Sequence, residues 1–363
     1  MQSVSRLREL DFLRGIAILL VFFRHQYLFD FLKTIGWIGV DLFFVISGFL
    51  VSGLLFKEYR RFGSVNAKLF LIRRGFKIYP IFYLSYVLYV IPRVLMNKLD
   101  LEKVFYELTF TQNYALGWGY AYSASWSLAV EEHFYFGLAL LLWLIFNKRI
   151  MRFEMVPNRF TLFEKSIVAI LIIVLGMRLW ANIDVIENEA LHITMTHLRI
   201  DSLLFGVLLS YWYYFRKEQL TELFKKNQSI LMIAALLMLS FTPFYDLMTS
   251  YFVKTVGFTL LYLAFGIVLL YFLLNENINH RLNRLFSARV VDFVSKIGYC
   301  SYSIYIIHTF VILYCDAFLA PINPYLLTVI TFTITMISGF IMTFKIEKLF
   351  LNYRDKYYPS RTI

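Results

Sequence analysis

The sequence predicts an all-α, polytopic membrane protein of about ten transmembrane helices, with both termini cytoplasmic and a single integral domain over 1–363. Three observations predict it. Of 363 residues, 60% are hydrophobic and only 17% charged, whereas a soluble domain carries about a quarter charged residues. Apolar runs of roughly 17 to 23 residues, enough to cross a hydrocarbon core of about 30 Å, recur along the chain. The 36 lysines and arginines gather between these runs. A soluble globular enzyme, a disordered chain and a disulfide-stapled secreted module are excluded. Cys300 and Cys315 lie in one apolar segment, about 22 Å apart at 1.5 Å per helical residue, too far to bridge within that helix.

The first run, 13–32, follows Arg6, Glu9, Asp11 and Arg14 and has no small-residue cleavage site near its end. It reads as a retained helix and not a signal peptide. The next four runs lie near 37–56, 78–95, 127–147 and 166–183, and five more near 198–215, 229–245, 255–274, 297–316 and 324–344. An even number puts both termini on one side. The termini and loops of that side hold 27 Lys and Arg; the opposite loops hold four, Lys33, Arg93, Lys98 and Lys103. By the positive-inside rule the rich side is cytoplasmic. The formal charge of +12 is thus explained by anchoring against an anionic leaflet and not by nucleic acid. The longest extracytoplasmic loop, 96–126, carries Thr111, Gln112, Asn113, Tyr114, Trp118, Tyr120 and Tyr122. Such groups stack on and bond to sugars, and they also populate any membrane interface.

Ionisable groups inside spans are costly and mark either a functional cavity or a paired partner. Arg14 and His25 stand 11 residues apart, which at about 100° per residue places them on one helix face, with His25 about 16 Å deeper. A bonded core histidine and an interfacial arginine give the structural alternative. Asp11 is within i,i+3 reach of Arg14, whereas the partner of Arg24 is not evident. In the second run, Gly39 to Phe49 holds Asp41, Ser47 and Gly48. The small residues suit helix packing, and Asp41 is expected to meet His25 or Arg24 across the short connection. Arg73, Arg74 and Lys77 crowd one cytoplasmic helix start. They suit a membrane anchor, and equally a multiply phosphorylated ligand held by guanidinium forks. The fourth run opens Trp126-Ser127-Leu128-Ala129-Val130-Glu131-Glu132-His133-Phe134-Tyr135. Glu131 and Tyr135 share a face and can line one cavity wall, although acidic charge at a helix start is also simply favourable. Arg199, Asp201, His308 and Glu347 each have an ordinary structural explanation when taken singly.

Taken together and in order, these motifs resemble the acyltransferase-3 family of membrane acyltransferases. The resemblance rests on Asp11 and Arg14 with His25, on Gly39-Val40-Asp41-Leu42-Phe43-Phe44 running into Ser47-Gly48-Phe49, and on Arg73-Arg74. It continues through Trp126-Ser127-Leu128 with Glu131 and Phe134-Tyr135, Arg199 and Asp201, Ser301-Tyr302 with His308, and Glu347. It implies a ten-helix enzyme of the bacterial cytoplasmic membrane that moves an acyl group, commonly acetyl, from cytoplasmic acyl-CoA to a hydroxyl of a surface glycan or related acceptor. No metal and no permanently bound cofactor are expected. His25 and Arg14 become the essential pair, with Glu131 or Asp41 orienting the imidazole, and Arg73, Arg74 and Lys77 near the donor phosphates. Trp126, Ser127, Tyr135 and Arg199 are expected near the acceptor. Lys77 departs from the arginine usual at its position and loses the bidentate fork. A hydrolase-like extracytoplasmic domain of the kind fused to larger relatives is not expected at this length.

Two chemical routes stay open: His25 as general base for a sugar hydroxyl, or His25 as a transient acyl carrier. The competing class is a transporter or flippase in which His25, Asp41, Glu131 and Arg199 form a path. The lack of an evident internal repeat weighs against it.

Overall fold

The computed structural model describes residues 7–150, 160–184, 186–319 and 321–361, so Arg6, Arg152 and Arg159 of the charge count lie outside it. Every regular element among the described residues is helical. Ten helices have 17 residues or more: α1 (Arg8–His25), α2 (Ile38–Phe62), α3 (Ala67–Leu95), α4 (Trp126–Asn147), α5 (Leu162–Ala181), α6 (Thr196–Phe215), α7 (Lys217–Leu239), α8 (Phe258–Leu274), α9 (Ser301–Leu319) and α10 (Pro324–Ile341). Seven helical segments are long and apolar enough to cross a membrane. They contain α2, α3, α4, α6, α8, α9 and α10. The other three expected runs fall on α1, α5 and α7, which carry several charges each.

Local chemistry sets the helix ends. Asn66 accepts the Leu69 N–H at 2.9 Å and starts α3 about a turn after Gly63, whose φ of +65° closes α2. Thr161 and Glu164 form a reciprocal capping box on α5. Helix α1 was expected to run to residue 32 and instead stops at His25. Gln26 turns extended, with φ −113° and ψ 125°, and its side-chain amide reaches Thr328 on α10 at 3.3 Å. A separate short helix, Asp30–Ile35, leads into α2.

Two close crossings position the centre. Where α2 meets α6, a Cβ on Gly48 would strike the Leu203 carbonyl, and one on Gly206 would strike that of Val45. Where α1 meets the helix Ala288–Tyr299, Gly15 lies against Val294 and Gly298 against the Asp11 carbonyl. In lipid, where apolar surface gains nothing from leaving water, such close approach supplies the packing that holds helices together. The packing role expected for Gly48 is what the structure shows.

Two segments leave α-helical register for a π-turn. Met342–Glu347 follows α10 and presents Glu347 to Lys77, while Val253–Gly257 precedes α8 and presents Lys254 to Glu189. An extra residue in the turn re-aims a side chain, and here each turn aims a charge at its counter-ion. The bond from Lys254 holds the Glu189 carboxyl below its ordinary value.

Candidate active site

Two cavities open between the helices. The first, about 310 Å³, is cationic: Arg14 of α1, Ser47 of α2, Arg74 and Lys77 of α3, and Glu131 and Tyr135 of α4 line it, with Ser301 and Tyr302 of α9. Arg14 donates to the Ser301 hydroxyl at 2.9 Å and lies 3.8 Å from Asp11, its i,i+3 neighbour. The Arg74 guanidinium stacks 4.7 Å from the Tyr135 ring, and its Nε has no partner among the described residues. Lys77 pairs with Glu347. Ser47 and Tyr135 share a hydrogen bond of 2.9 Å, and both reach the Glu131 carboxylate. Ser47, expected merely to let helices pack, is therefore a polar wall of this cavity.

The second cavity, about 400 Å³, is aromatic. His25 and Arg24 of α1, Trp37, Asp41 of α2, Trp118, Trp126 of α4 and Arg199 of α6 line it. His25, exposed at the end of α1, stands between this cavity and a polar groove containing Gln26, Lys33 and Asp316. Its ring lies 5.3 Å from that of His308 on α9. His308 is buried; its Nδ1 is 2.6 Å from the Tyr305 carbonyl, which fixes the proton on Nδ1, and its Nε2 has no partner among the described residues. The buried Trp37 Nε1 also lacks a partner.

Behind the aromatic cavity lies a quartet of buried charges. Arg199 pairs with Asp41 at 2.7 Å and Arg178 of α5 with Asp201 at 2.7 Å, all four side chains being at most 2% exposed. Arg199 also donates to the Ile193 carbonyl and sits 3.7 Å over the Phe258 ring; Arg178 donates to Thr259 at 2.6 Å. Asp41 was expected against His25 or Arg24, and this is corrected. The α2–α6 glycine crossing brings Arg199 close enough to take its carboxylate, while Arg24 donates instead to the Lys33 carbonyl at 2.9 Å.

The loop 96–126 departs from its expected use. Gln112 donates to the Ser125 carbonyl, Asn113 to Thr194 and Thr196, and Tyr122 to the Tyr305 carbonyl. These groups are spent on the loop's own scaffold, and Trp118 alone of the expected residues lines the aromatic cavity. At its centre Glu107 accepts from Tyr86, Ala121, Tyr122 and Ser125. Burial pushes this carboxyl above its ordinary value, opposed by those four bonds.

The structure brings Arg14, Arg74, Lys77, Glu131, Ser127 and Tyr135 to the cationic cavity, and His25, Asp41, Trp126 and Arg199 to the aromatic one. Residues expected at one acceptor site are thereby divided between two chambers. Arg73 belongs to neither wall. It pairs with Asp355 at 3.0 Å and bonds the Tyr358 carbonyl, clasping the tail after α10. The sequence reading missed Tyr305 and set His308 aside. Their spacing from Ser301 is i, i+4, i+7, one helix face of polar groups in an apolar run, and that was a visible signal.

Apolar helices of membrane-crossing length packed around buried arginines make this an integral membrane protein. The family model described as an acyltransferase domain matches residues 7–344, and the chain belongs to the acyltransferase-3 family. The peptidoglycan O-acetyltransferase OatA of Listeria monocytogenes is 30% identical over 142 residues, 35% of this chain and 22% of that protein. The O-acetyltransferase OatA of Staphylococcus aureus (strain NCTC 8325) is 28% identical over 271 residues, 70% of this chain and 41% of that protein. The chain thus matches well under half the length of these curated relatives. No solved structure matches the chain.

Proposed function

We propose that the chain is a membrane O-acyltransferase, most simply an O-acetyltransferase, that takes an acyl group from cytoplasmic acyl-CoA and places it on a hydroxyl of a cell-surface glycan. The single observation that carries this reading is the pair of cavities that abut at Val40 and Tyr305, one cationic and one lined by imidazole and indoles. The cationic cavity suits the donor. Arg74, Arg14 and Lys77 can hold phosphates by charge-assisted bonds. Arg73, at the same helix start, reaches the donor if its pair with Asp355 opens. The aromatic cavity suits a sugar, with Trp37, Trp118 and Trp126 as stacking faces and the Arg199–Asp41 pair forming part of its wall. The topology that accompanies this reading is ten spans in a bacterial cytoplasmic membrane, both termini inside, with the aromatic cavity outward.

In the reaction the acceptor hydroxyl oxygen attacks the thioester carbonyl carbon. The C–O bond forms, the C–S bond breaks, and the hydroxyl proton passes through His25 to the departing CoA sulfur. His308, with its proton on Nδ1 and its ring 5.3 Å from that of His25, can steady the charged ring. If His25 first takes the acyl group itself, the same groups serve both half-reactions.

The test uses protein in lipid nanodiscs titrated with acetyl-CoA by calorimetry, then assayed for thiol release with soluble glycans. His25→Ala should bind the donor normally and lose transfer by about 10²- to 10⁴-fold. Near wild-type transfer by a folded His25→Ala protein sinks the assignment. Failure of the wild type to bind acyl-CoA moves the reading to a transporter.

A further inference from the structure

Among the described residues the two cavities share only two lining residues, Val40 of α2 and Tyr305 of α9. Tyr305 is fixed at its backbone: its carbonyl takes the Tyr122 hydroxyl at 2.7 Å and the His308 ring at 2.6 Å. Its side chain is buried and held at the hydroxyl by two bonds. The hydroxyl lies 2.6 Å from Ser127 Oγ and 3.0 Å from the Ala124 carbonyl, both at the start of α4. The ring meets Phe43 edge-on at 6.4 Å, Tyr122 edge-on at 6.5 Å and His308 at 5.4 Å. Opposite stands Val40, whose β-branched side chain has little rotamer freedom in a helix. One jamb is rigid, and the other is a ring that swings if two hydroxyl bonds break.

We infer that Tyr305, latched by Ser127, is the shutter between the two chambers, and that it couples thioester opening to the presence of an acceptor. This rests on the acyltransferase reading for the identity of what passes. With the shutter open and no acceptor present, water reaches the thioester carbonyl. Its oxygen forms the new C–O bond, the C–S bond breaks, and its protons leave on the carboxylic acid and the CoA thiol. Closure at Tyr305 excludes that water, as lids do in soluble enzymes. It also seals a polar path that otherwise runs from Arg74 to His25. Tyr305 acts by positioning and exclusion, not as a catalytic residue.

The experiment compares the wild type with Tyr305→Phe, Ser127→Ala, their double variant and Tyr305→Ala, all reconstituted from the full chain. One readout is thiol release from acetyl-CoA without acceptor; the other is proton leak into sealed liposomes loaded with a pH dye. In Tyr305→Ala both rise at least about fivefold. Tyr305→Phe keeps the ring and so guards against misfolding as the explanation; it gives a smaller rise, Ser127→Ala gives a rise no larger because the bond to the Ala124 carbonyl remains, and the double variant gives no more than Tyr305→Phe, which already lacks both bonds. A merely structural role would lower yield and donor binding while raising neither readout. Acceptor-free thiol release at the wild-type level in every variant overturns the coupling role. If the wild type binds no acetyl-CoA, the acyltransferase reading fails separately, and unchanged proton leak in Tyr305→Ala then overturns the shutter itself.

Discussion

Two pairs of arginines in this protein are treated in opposite ways. Arg178 and Arg199 are fully buried, each ion-paired at 2.7 Å and each given a further carbonyl partner. Arg14 and Arg74 face an open cavity. Arg14 has a hydroxyl and a carboxylate 3.8 Å away, Arg74 a tyrosine face. An arginine's place in a span therefore does not mark it as functional; the two pairs differ in whether a buried carboxylate is bonded to the guanidinium. A guanidinium bonded to a buried carboxylate ties helices together, and one without that bond is available to a ligand.

The comparison breaks most visibly at the quartet. Asp201→Ala leaves Arg178 buried without its counter-ion and should cost about 3–5 kcal/mol, seen as loss of monodisperse protein in detergent. The double variant Arg178→Met with Asp201→Leu should recover most of the yield. A stable single variant would show that the quartet does not hold α5 to α6. At the cavity the opposite pattern is expected. Arg74→Ala should leave melting unchanged and raise the KM for acetyl-CoA about 10- to 100-fold, the worth of one or two charge-assisted bonds. An unchanged KM would remove Arg74 from the donor site.

Smaller effects sharpen the same contrast. Trp118→Ala should weaken acceptor use about tenfold, one stacking contact, with donor affinity intact. Titrating acetyl-CoA and glycan separately against this variant checks it. Arg73→Ala should change donor KM only a few-fold, because its guanidinium is already engaged by Asp355 and Tyr358, and should loosen the tail to proteolysis. A loss as large as that of Arg74→Ala would show that the tail releases Arg73 when donor binds.

Much of this was legible in the chain. Runs of apolar residues must become helices in lipid, because every backbone N–H and C=O there needs an internal partner. Helix positions therefore largely follow from composition, as does the helical separation of Arg14 from His25, while seven of the helical segments are long and apolar enough to cross a membrane. The i,i+3 contact of Asp11 with Arg14 and the shared wall of Glu131 and Tyr135 also follow, since each lies within a single helix. Contacts between helices do not follow in this way. Asp41 had several possible cations within reach by sequence, and the crossing of Gly48 with Gly206 gave it to Arg199. Arg73 and Arg74 are adjacent in sequence and about 100° apart on the helix, so one faces a cavity and the other a tail that only tertiary folding brings near. Helical periodicity fixes which residues share a face. Which faces meet, and hence that Tyr305 stands between two chambers, is decided by close packing across hundreds of residues of chain.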